Sequence, residues 1–498
     1  MVQGTASAVG KSIVCAALCR IFHQDGYRVA PFKAQNMALN SFVTKEGGEI
    51  GRAQVVQAEA AGIEPTVDMN PVLLKPAAGS GCQVIVMGKV FKTVSSADYQ
   101  NLTPSLLKPV GEALERLRAE YDIVVIEGAG SPAEINLKER EIVNMPVAKM
   151  ADAPVLLVGD IDKGGVFASL VGTLELLEED ERFYIKGLII NKFRGNLEFF
   201  GDGVKMLEER AGKPVLGVIP YFHGIRIAQE DSVYLDERPD SAATEDLEIA
   251  VIRLPHISNY DDFDPLEDEG CQVRFVTRRF EIGNPHLIIL PGTKSTVNDL
   301  QYLHHSGLMN NIMRKVREGV PVLGICGGYQ MLGKKILDPL EVESPEKEIE
   351  GLSLLDAVTE FVRDKSTRQV RARVVSNEGL LSGSEGIELS GYEIHMGQTI
   401  FQDGSSAFRI TETPQGATDH LDGILNKDGS VMGTYLHGMF HNDEFRRAFL
   451  NSLRKRWGLP EIDSDTALEK ADEYDKLAEL VRSSLDIPAI YRIMDEAV

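Results

Sequence analysis

Pro321-Val-Leu-Gly-Ile-Cys326-Gly-Gly-Tyr-Gln-Met-Leu-Gly333 decides the fold class of this 498-residue chain. Val322 to Ile325 reads as a short apolar strand running straight into a helix. The turn between them carries Gly324, Cys326, Gly327 and Gly328. A nucleophile at such a corner needs small neighbours, because the backbone there is sharply bent. The thiol is then aimed at a helix N-terminus. That end favours thiolate and offers backbone N–H groups to an oxyanion. Strand, turn and helix in immediate succession are the unit of a doubly wound α/β sheet, and chemistry in such sheets sits at the strand C-termini.

The length predicts two to three domains. Lys and Arg total 52 and Asp and Glu 75, a net charge of −23. That excess argues against nucleic acid and anionic membrane as partners; an anionic substrate would need local Lys and Arg. The five cysteines have no CxxC spacing, which indicates a reducing compartment and no zinc framework. No signal peptide precedes Gly4 and no long apolar run occurs, so a cytoplasmic location is expected.

The chain opens on Gly4-Thr-Ala-Ser-Ala-Val-Gly10-Lys11-Ser12, followed by a helix to Gln24. This reads as a phosphate-binding loop with one residue more than the strict pattern. It has flexible backbone, Lys11 as a point charge, Ser12 as a magnesium ligand and a helix N-terminus behind. Only Met1 to Gln3 are available for the preceding strand, against a usual length of about five residues. Strands and helices then alternate. Arg28 to Lys33 reads as a strand and Glu49 to Ala61 as a helix. Asp122 to Ile126 is an apolar strand closing on Glu127, a carboxylate placed to serve as a second magnesium ligand. Pro154 to Val158, Gly187 to Ile190 and Val215 to Ile219 are further buried strands. Asn191-Lys192, at one strand end, could read an adenine edge or form a plain turn.

Gln229 to Leu247 is polar, acidic and aperiodic and reads as a linker. A second αβ unit starts at Glu248 and includes His286 to Leu290, which runs into Pro291-Gly292-Thr-Lys294. Residues 337–350 read as a loop, and Asp443 to Arg456 and the 466–498 tail as helices. A cysteine nucleophile needs an imidazole to take its proton and return it to the leaving amine. His437, ending the apolar run from Val431 and preceding a glycine, and His395, in an alternating strand, are the two candidates.

Gly324-Ile-Cys326-Gly-Gly-Tyr-Gln-Met-Leu-Gly333 with Gly433-Thr-Tyr-Leu-His437-Gly438 resembles a class I glutamine amidotransferase domain of the cobalamin-pathway branch. The first half, through Gly4 to Ser12, resembles the dethiobiotin-synthetase-like ATPase domain. Phe32 to Ser41, Asn70 to Pro76, Glu127 to Leu137, Gly159 to Gly165 and Asn259 to Leu266 extend the resemblance over nearly the whole chain, to the cobyric acid synthase family. The resemblance implies an ATP-binding amide-ligase domain at 1–232, a linker at 233–247, a glutamine amidotransferase domain at 248–457 and a helical tail at 458–498.

It further implies ATP- and glutamine-dependent amidation of the b, d, e and g carboxylates of adenosylcobyrinic acid a,c-diamide, a corrinoid polycarboxylate. Cys326 is the implied nucleophile and His437 its base, with Gly292 and Gly327 at the oxyanion hole. Gly4, Thr5, Gly10, Lys11, Ser12, Asn191 and Lys192 are implied for ATP. Ser12, Glu127 and Glu49 are implied for Mg2+, and Lys33, Lys75 and Lys89 for substrate or phosphate. Many class I domains place Glu two residues after the histidine. Met439 stands there, which leaves the base without its usual orienting carboxylate and predicts slow glutamine hydrolysis unless the partner site is loaded. Rival readings are an a,c-diamide synthase, a nucleotide switch of the partitioning-ATPase type, and a cysteine hydrolase or peptidase. The oligomeric state is open.

Overall fold

The computed structural model describes residues 1–77, 81–222, 224–225, 227, 247–462 and 470–496. The linker expected at 233–247 lies outside the described residues except for Leu247.

The first half is built on parallel strands. Val2–Gly4, Val155–Asp160, Ile185–Phe193 and Val215–Pro220 form one four-stranded sheet in that order. Val29–Phe32 pairs with Ile123–Ile126, and Val2 joins this pair through a parallel bridge to Glu127. All three residues of the short opening strand pair in register, and the Met1 nitrogen donates to Pro154 O at 2.7 Å. Helix Lys11–Gln24 packs its buried face, from Val14 to Phe22, on this sheet. A small second sheet follows, with Gln35–Met37 parallel to Val72–Ala77 and then Gly81–Val86 and Lys89–Ser95 antiparallel.

The helix expected over Glu49 to Ala61 divides in two. Glu49–Gly51 is a strand paired with Ser41–Val43, and the helix is Arg52–Ala60. Gly51, extended at φ −67° and ψ 143°, separates them.

In the second half Cys271–Val276, Leu247–Ile252, Leu287–Leu290, Val322–Ile325 and Val431–Thr434 are parallel neighbours in that order. The sheet then turns antiparallel through Gly416–Leu425 and Ser405–Thr413 to a long hairpin, Asp356–Val374 with Glu388–Asp403. Part of the stretch expected as loop is paired, Lys335–Leu337 against Glu348–Glu350. The two faces of the parallel portion carry separate apolar cores.

Helix Asp443–Arg456 forms as expected, and Lys470–Ser484 and Ile487–Asp495 make up the described tail. The tail returns to the first half, where Leu477, Val481 and Ile490 enter the core under helix Lys11–Gln24. Among the described residues no helix is long and apolar enough to cross a membrane.

Candidate active site

Two centres lie at strand C-termini, one in each half. In the second, Cys326 joins strand Val322–Ile325 to helix Gly327–Leu332 with φ 52° and ψ −108°, a strained conformation for a residue with a side chain. The neighbouring glycines are required by close approach. A Cβ at Gly328 would lie 1.9 Å from Leu290 O, and one at Gly324 would lie 2.6 Å from Leu332 Cδ1. The Cys326 N–H donates to Thr434 O at 2.9 Å, and its Sγ lies 3.5 Å from Ile394 O.

His437 is 1% exposed. Its Nδ1 lies 2.6 Å from Asp262 Oδ2, and the Gly438 N–H donates to Asp262 Oδ1 at 2.8 Å. A carboxylate only accepts, so Nδ1 carries the proton and Nε2 is the nitrogen left for its other partner, the Cys326 sulfur. Tyr392 stacks on the imidazole at 5.3 Å and 13°. Burial lowers the affinity of this imidazole for a second proton. Asp262 and Cys326 overcome that and raise its pKa to about 10. The arrangement holds an imidazolium between a carboxylate and a sulfur, which is the setting that stabilises thiolate.

His395 is different in kind. It stacks on Tyr435 at 3.8 Å, its Nδ1 lies 2.8 Å from Gly397 O, and burial pushes its pKa down to about 4. It is a neutral packing histidine.

Asp262 overturns the expectation that the base lacks an orienting carboxylate, and with it the reason given for slow hydrolysis. Met439 is indeed no acid and is buried in the core. The carboxylate arrives instead from 175 residues upstream, in the 3-10 turn Tyr260–Phe263. The Asn259 to Leu266 motif contained it, but two consecutive aspartates do not by themselves indicate which faces a histidine.

Gly292 lies beside this set: a Cβ there would meet His437 Cε1 at 3.0 Å. The segment is held by Ser258 N–H to Gly292 O (2.9 Å), Lys294 N–H to His256 O (3.0 Å) and Thr293 Oγ1 to Asp299 Oδ2 (2.5 Å). Gly327 opens its helix, where N–H groups have no intrahelical acceptor.

In the first half Gly10, at φ 100°, caps helix Lys11–Gln24. Gly4 ends the opening strand, and the Thr5 N–H donates to Val158 O at 2.9 Å, so the loop leaves the sheet between them. Lys11 Nζ donates to Ala6 O at 2.9 Å and Gly130 O at 3.2 Å. Glu127 is buried and accepts from Ser12 Oγ (2.8 Å), Lys33 Nζ (2.9 Å) and Gln57 Nε2 (2.5 Å). A hydroxyl and a carboxylate side by side at a phosphate loop suit Mg2+, which takes one or two carboxylates and completes its shell with phosphate and water. Among the described residues no group of three or more His, Cys, Asp or Glu forms a cation cage.

The other expected site residues make internal contacts or lie apart. Glu49, expected at the Mg2+ site, is an internal ion-pair partner. Its carboxylate is 1% exposed and held by Lys75 of its own half and Lys365 of the other. Burial pushes its pKa up, but the two lysines hold it well below the usual range. Lys75, whose pKa burial lowers to about 8, also donates to Ser41 Oγ at 2.7 Å. Lys33 lies against Glu127, and Lys89 is exposed on its edge strand, so the three lysines do not converge on one substrate pocket. Asn191 donates to Val9 O at 2.8 Å and Lys192 to Ala8 O at 2.7 Å. Both brace the phosphate loop.

The comparisons agree with this pairing of centres. Residues 1–233 match the CobQ/CobB/MinD/ParA nucleotide binding domain, and residues 248–445 match the CobB/CobQ-like glutamine amidotransferase domain. Cobyric acid synthase of Dehalococcoides mccartyi (strain CBDB1) is 60% identical over 498 residues, covering 100% of this chain and 99% of its own length. The chain belongs to the cobyric acid synthase family. Family members from Sorangium cellulosum (strain So ce56) and Thermoanaerobacter sp. (strain X514) are 54% and 51% identical, each covering 99% of this chain and 98% of its own length. This chain is an enzyme of that family, a glutamine-dependent amidotransferase with a nucleotide-binding half.

Proposed function

We propose that the chain amidates the b, d, e and g side-chain carboxylates of adenosylcobyrinic acid a,c-diamide, using glutamine as nitrogen source and ATP as the driving reagent. The observation that carries the reading is the buried Cys326–His437–Asp262 set on a strained elbow, in one chain with a phosphate loop. The full-length likeness to cobyric acid synthases supports this substrate over the a,c positions of the earlier diamide.

The Cys326 thiolate attacks the glutamine side-chain carbonyl, and the oxyanion is received by the N–H groups of Gly292 and Gly327. His437, held as imidazolium by Asp262, gives its proton to the leaving nitrogen, and ammonia departs from a glutamyl thioester. His437 then takes a proton from water, which opens the thioester to glutamate. In the first half Gly4, Thr5, Gly10 and Lys11 receive the ATP phosphates on loop N–H groups and one ammonium. Asn191 and Lys192 keep that loop in shape. Ser12 and Glu127 would hold Mg2+, which supplies neutralisation of phosphate charge. A substrate carboxylate is a poor electrophile; transfer of the γ-phosphoryl group makes an acyl phosphate, and ammonia displaces phosphate to leave the amide. Ammonium has no lone pair to attack with, so the transfer must be shielded from protonation.

Incubation with ATP, glutamine and the corrinoid diamide, followed by mass detection, tests the reading. Successive small mass losses, each one OH replaced by NH2, are expected. Consumption of ATP or glutamine with no mass change in the corrinoid would refute it.

A further inference from the structure

The imidazole of His437 is held on its edge by Asp262 and on its face by Tyr392, and residues of the first half hold both. The Asn40 Oδ1 accepts from the Tyr260 N–H at 3.2 Å, and the Ser41 carbonyl accepts from Asn259 Nδ2 at 2.7 Å. The ring of Phe42 meets Tyr392 edge-on at 5.3 Å. Arg52, the first residue of helix Arg52–Ala60, places Nε 3.0 Å from Asp261 Oδ2. Its guanidinium also lies over Phe42 at 5.5 Å, with Glu59 3.9 Å away.

Asp261 and Asp262 are consecutive, and each is 2% exposed. A buried carboxylate needs a cation or hydrogen bonds in place of water. One faces Arg52 and the other faces His437, so each has its own cation. We propose that Arg52 is a positioning residue for glutamine hydrolysis, supplied by the nucleotide-binding half. By pairing with Asp261 it keeps the turn in the orientation that seats Asp262 on His437. The hydrolytic site is therefore complete only when the two halves are docked. This inference rests on the assignment of Cys326, His437 and Asp262 given above.

The full-length protein carries the test. Iodoacetamide is used to alkylate Cys326 across a pH series, scored on the Cys326 peptide by mass spectrometry, with glutaminase and ammonia-driven amidation measured in parallel. Arg52→Gln should move the alkylation midpoint upward, because an imidazolium less well seated on Asp262 stabilises thiolate less. Glutaminase kcat/KM should fall on the order of 10–100-fold, the usual cost of losing a group that orients a ligand or base. Ammonia-driven amidation should stay within about 3-fold, well inside that loss. Arg52→Lys should recover much of the midpoint.

Arg52→Gln combined with Asp261→Asn should also recover it, since the carboxylate that faced the guanidinium is gone; that recovery is non-additive. A midpoint unmoved in Arg52→Gln, or a double variant no better than the single, overturns the proposal and leaves Arg52 as packing between the halves. If Arg52→Gln does not fold, Arg52→Lys and the double variant decide by the same midpoints. Glutaminase activity surviving in Cys326→Ser would instead refute the underlying site assignment.

Discussion

Replacing Asp262 by Asn tests the least expected part of the site. The change is nearly isosteric and keeps an oxygen for the Gly438 N–H, now 2.8 Å from Asp262 Oδ1. It puts an amide N–H donor where Nδ1–H now donates. His437 can answer only by moving its proton to Nε2, the nitrogen that must accept from the thiol. The variant thus loses both the charge and the productive tautomer. Asp262 is the largest of the influences raising the His437 pKa from 6.5 to about 10, against burial that lowers it. At about 1.36 kcal/mol per unit the net rise corresponds to about 5 kcal/mol, which Asp262 and Cys326 together supply over and above what burial removes. Orienting-carboxylate replacements elsewhere cost between about 10–100-fold for ligand-orienting groups and about 10⁴-fold in a hydrolytic triad. Glutaminase kcat is expected to fall by about 10²–10⁴, or about 3–5 kcal/mol.

Stability offers a second readout with a defined sign. A group whose folded pKa is raised stabilises the fold fully below its unfolded pKa and loses that contribution as pH rises through the folded value. For His437 the decline runs from about 6.5 to about 10. Urea unfolding across that range should show it in the parent protein, and the difference between parent and Asp262→Asn should shrink toward high pH. A glutaminase loss below about tenfold, with an unchanged pH profile, would refute the argument that Asp262 orients the base.

Cys326→Ser should abolish glutamine-driven amidation and spare the ammonia-driven reaction; loss of both in a folded protein would contradict the division of labour between the halves. Glu127→Gln should lower amidation with either nitrogen source while glutaminase persists. It should also destabilise the fold by roughly 1–3 kcal/mol, because it weakens the buried bonds from Lys33, Ser12 and Gln57, measurable as a fall in the urea midpoint. Gly328→Ala should impair folding more than activity per folded molecule, since its Cβ would lie 1.9 Å from Leu290 O; a thermal midpoint equal to the parent's would contradict that.

What sequence could disclose here depended on how local the physics was. The elbow at Cys326 and the loop at Gly10 were legible because steric demand writes glycines next to the residue they serve. Charges told less. Lys75 is expected to meet substrate and Glu49 to meet Mg2+, whereas the structure pairs them with each other and Glu49 with Lys365 of the other half. A net charge of −23 says nothing about where opposite charges meet. Lys192 was legible as a strand-end residue but not as a brace, because its target, Ala8 O, is 184 residues away.

The missing acid shows the same limit most clearly. A rule that looks two residues past the histidine finds Met439 and concludes that the base is unsupported. The chemistry demands only an acceptor at Nδ1, and any element that the fold brings there can supply it. Here it comes on a turn gripped by Asn40, Ser41 and Arg52 of the nucleotide-binding half. An acid on the histidine's own strand would orient the base whether or not the halves were docked. An acid on the interface turn ties orientation of the base to docking, so hydrolysis of glutamine is built to occur where its ammonia can be used.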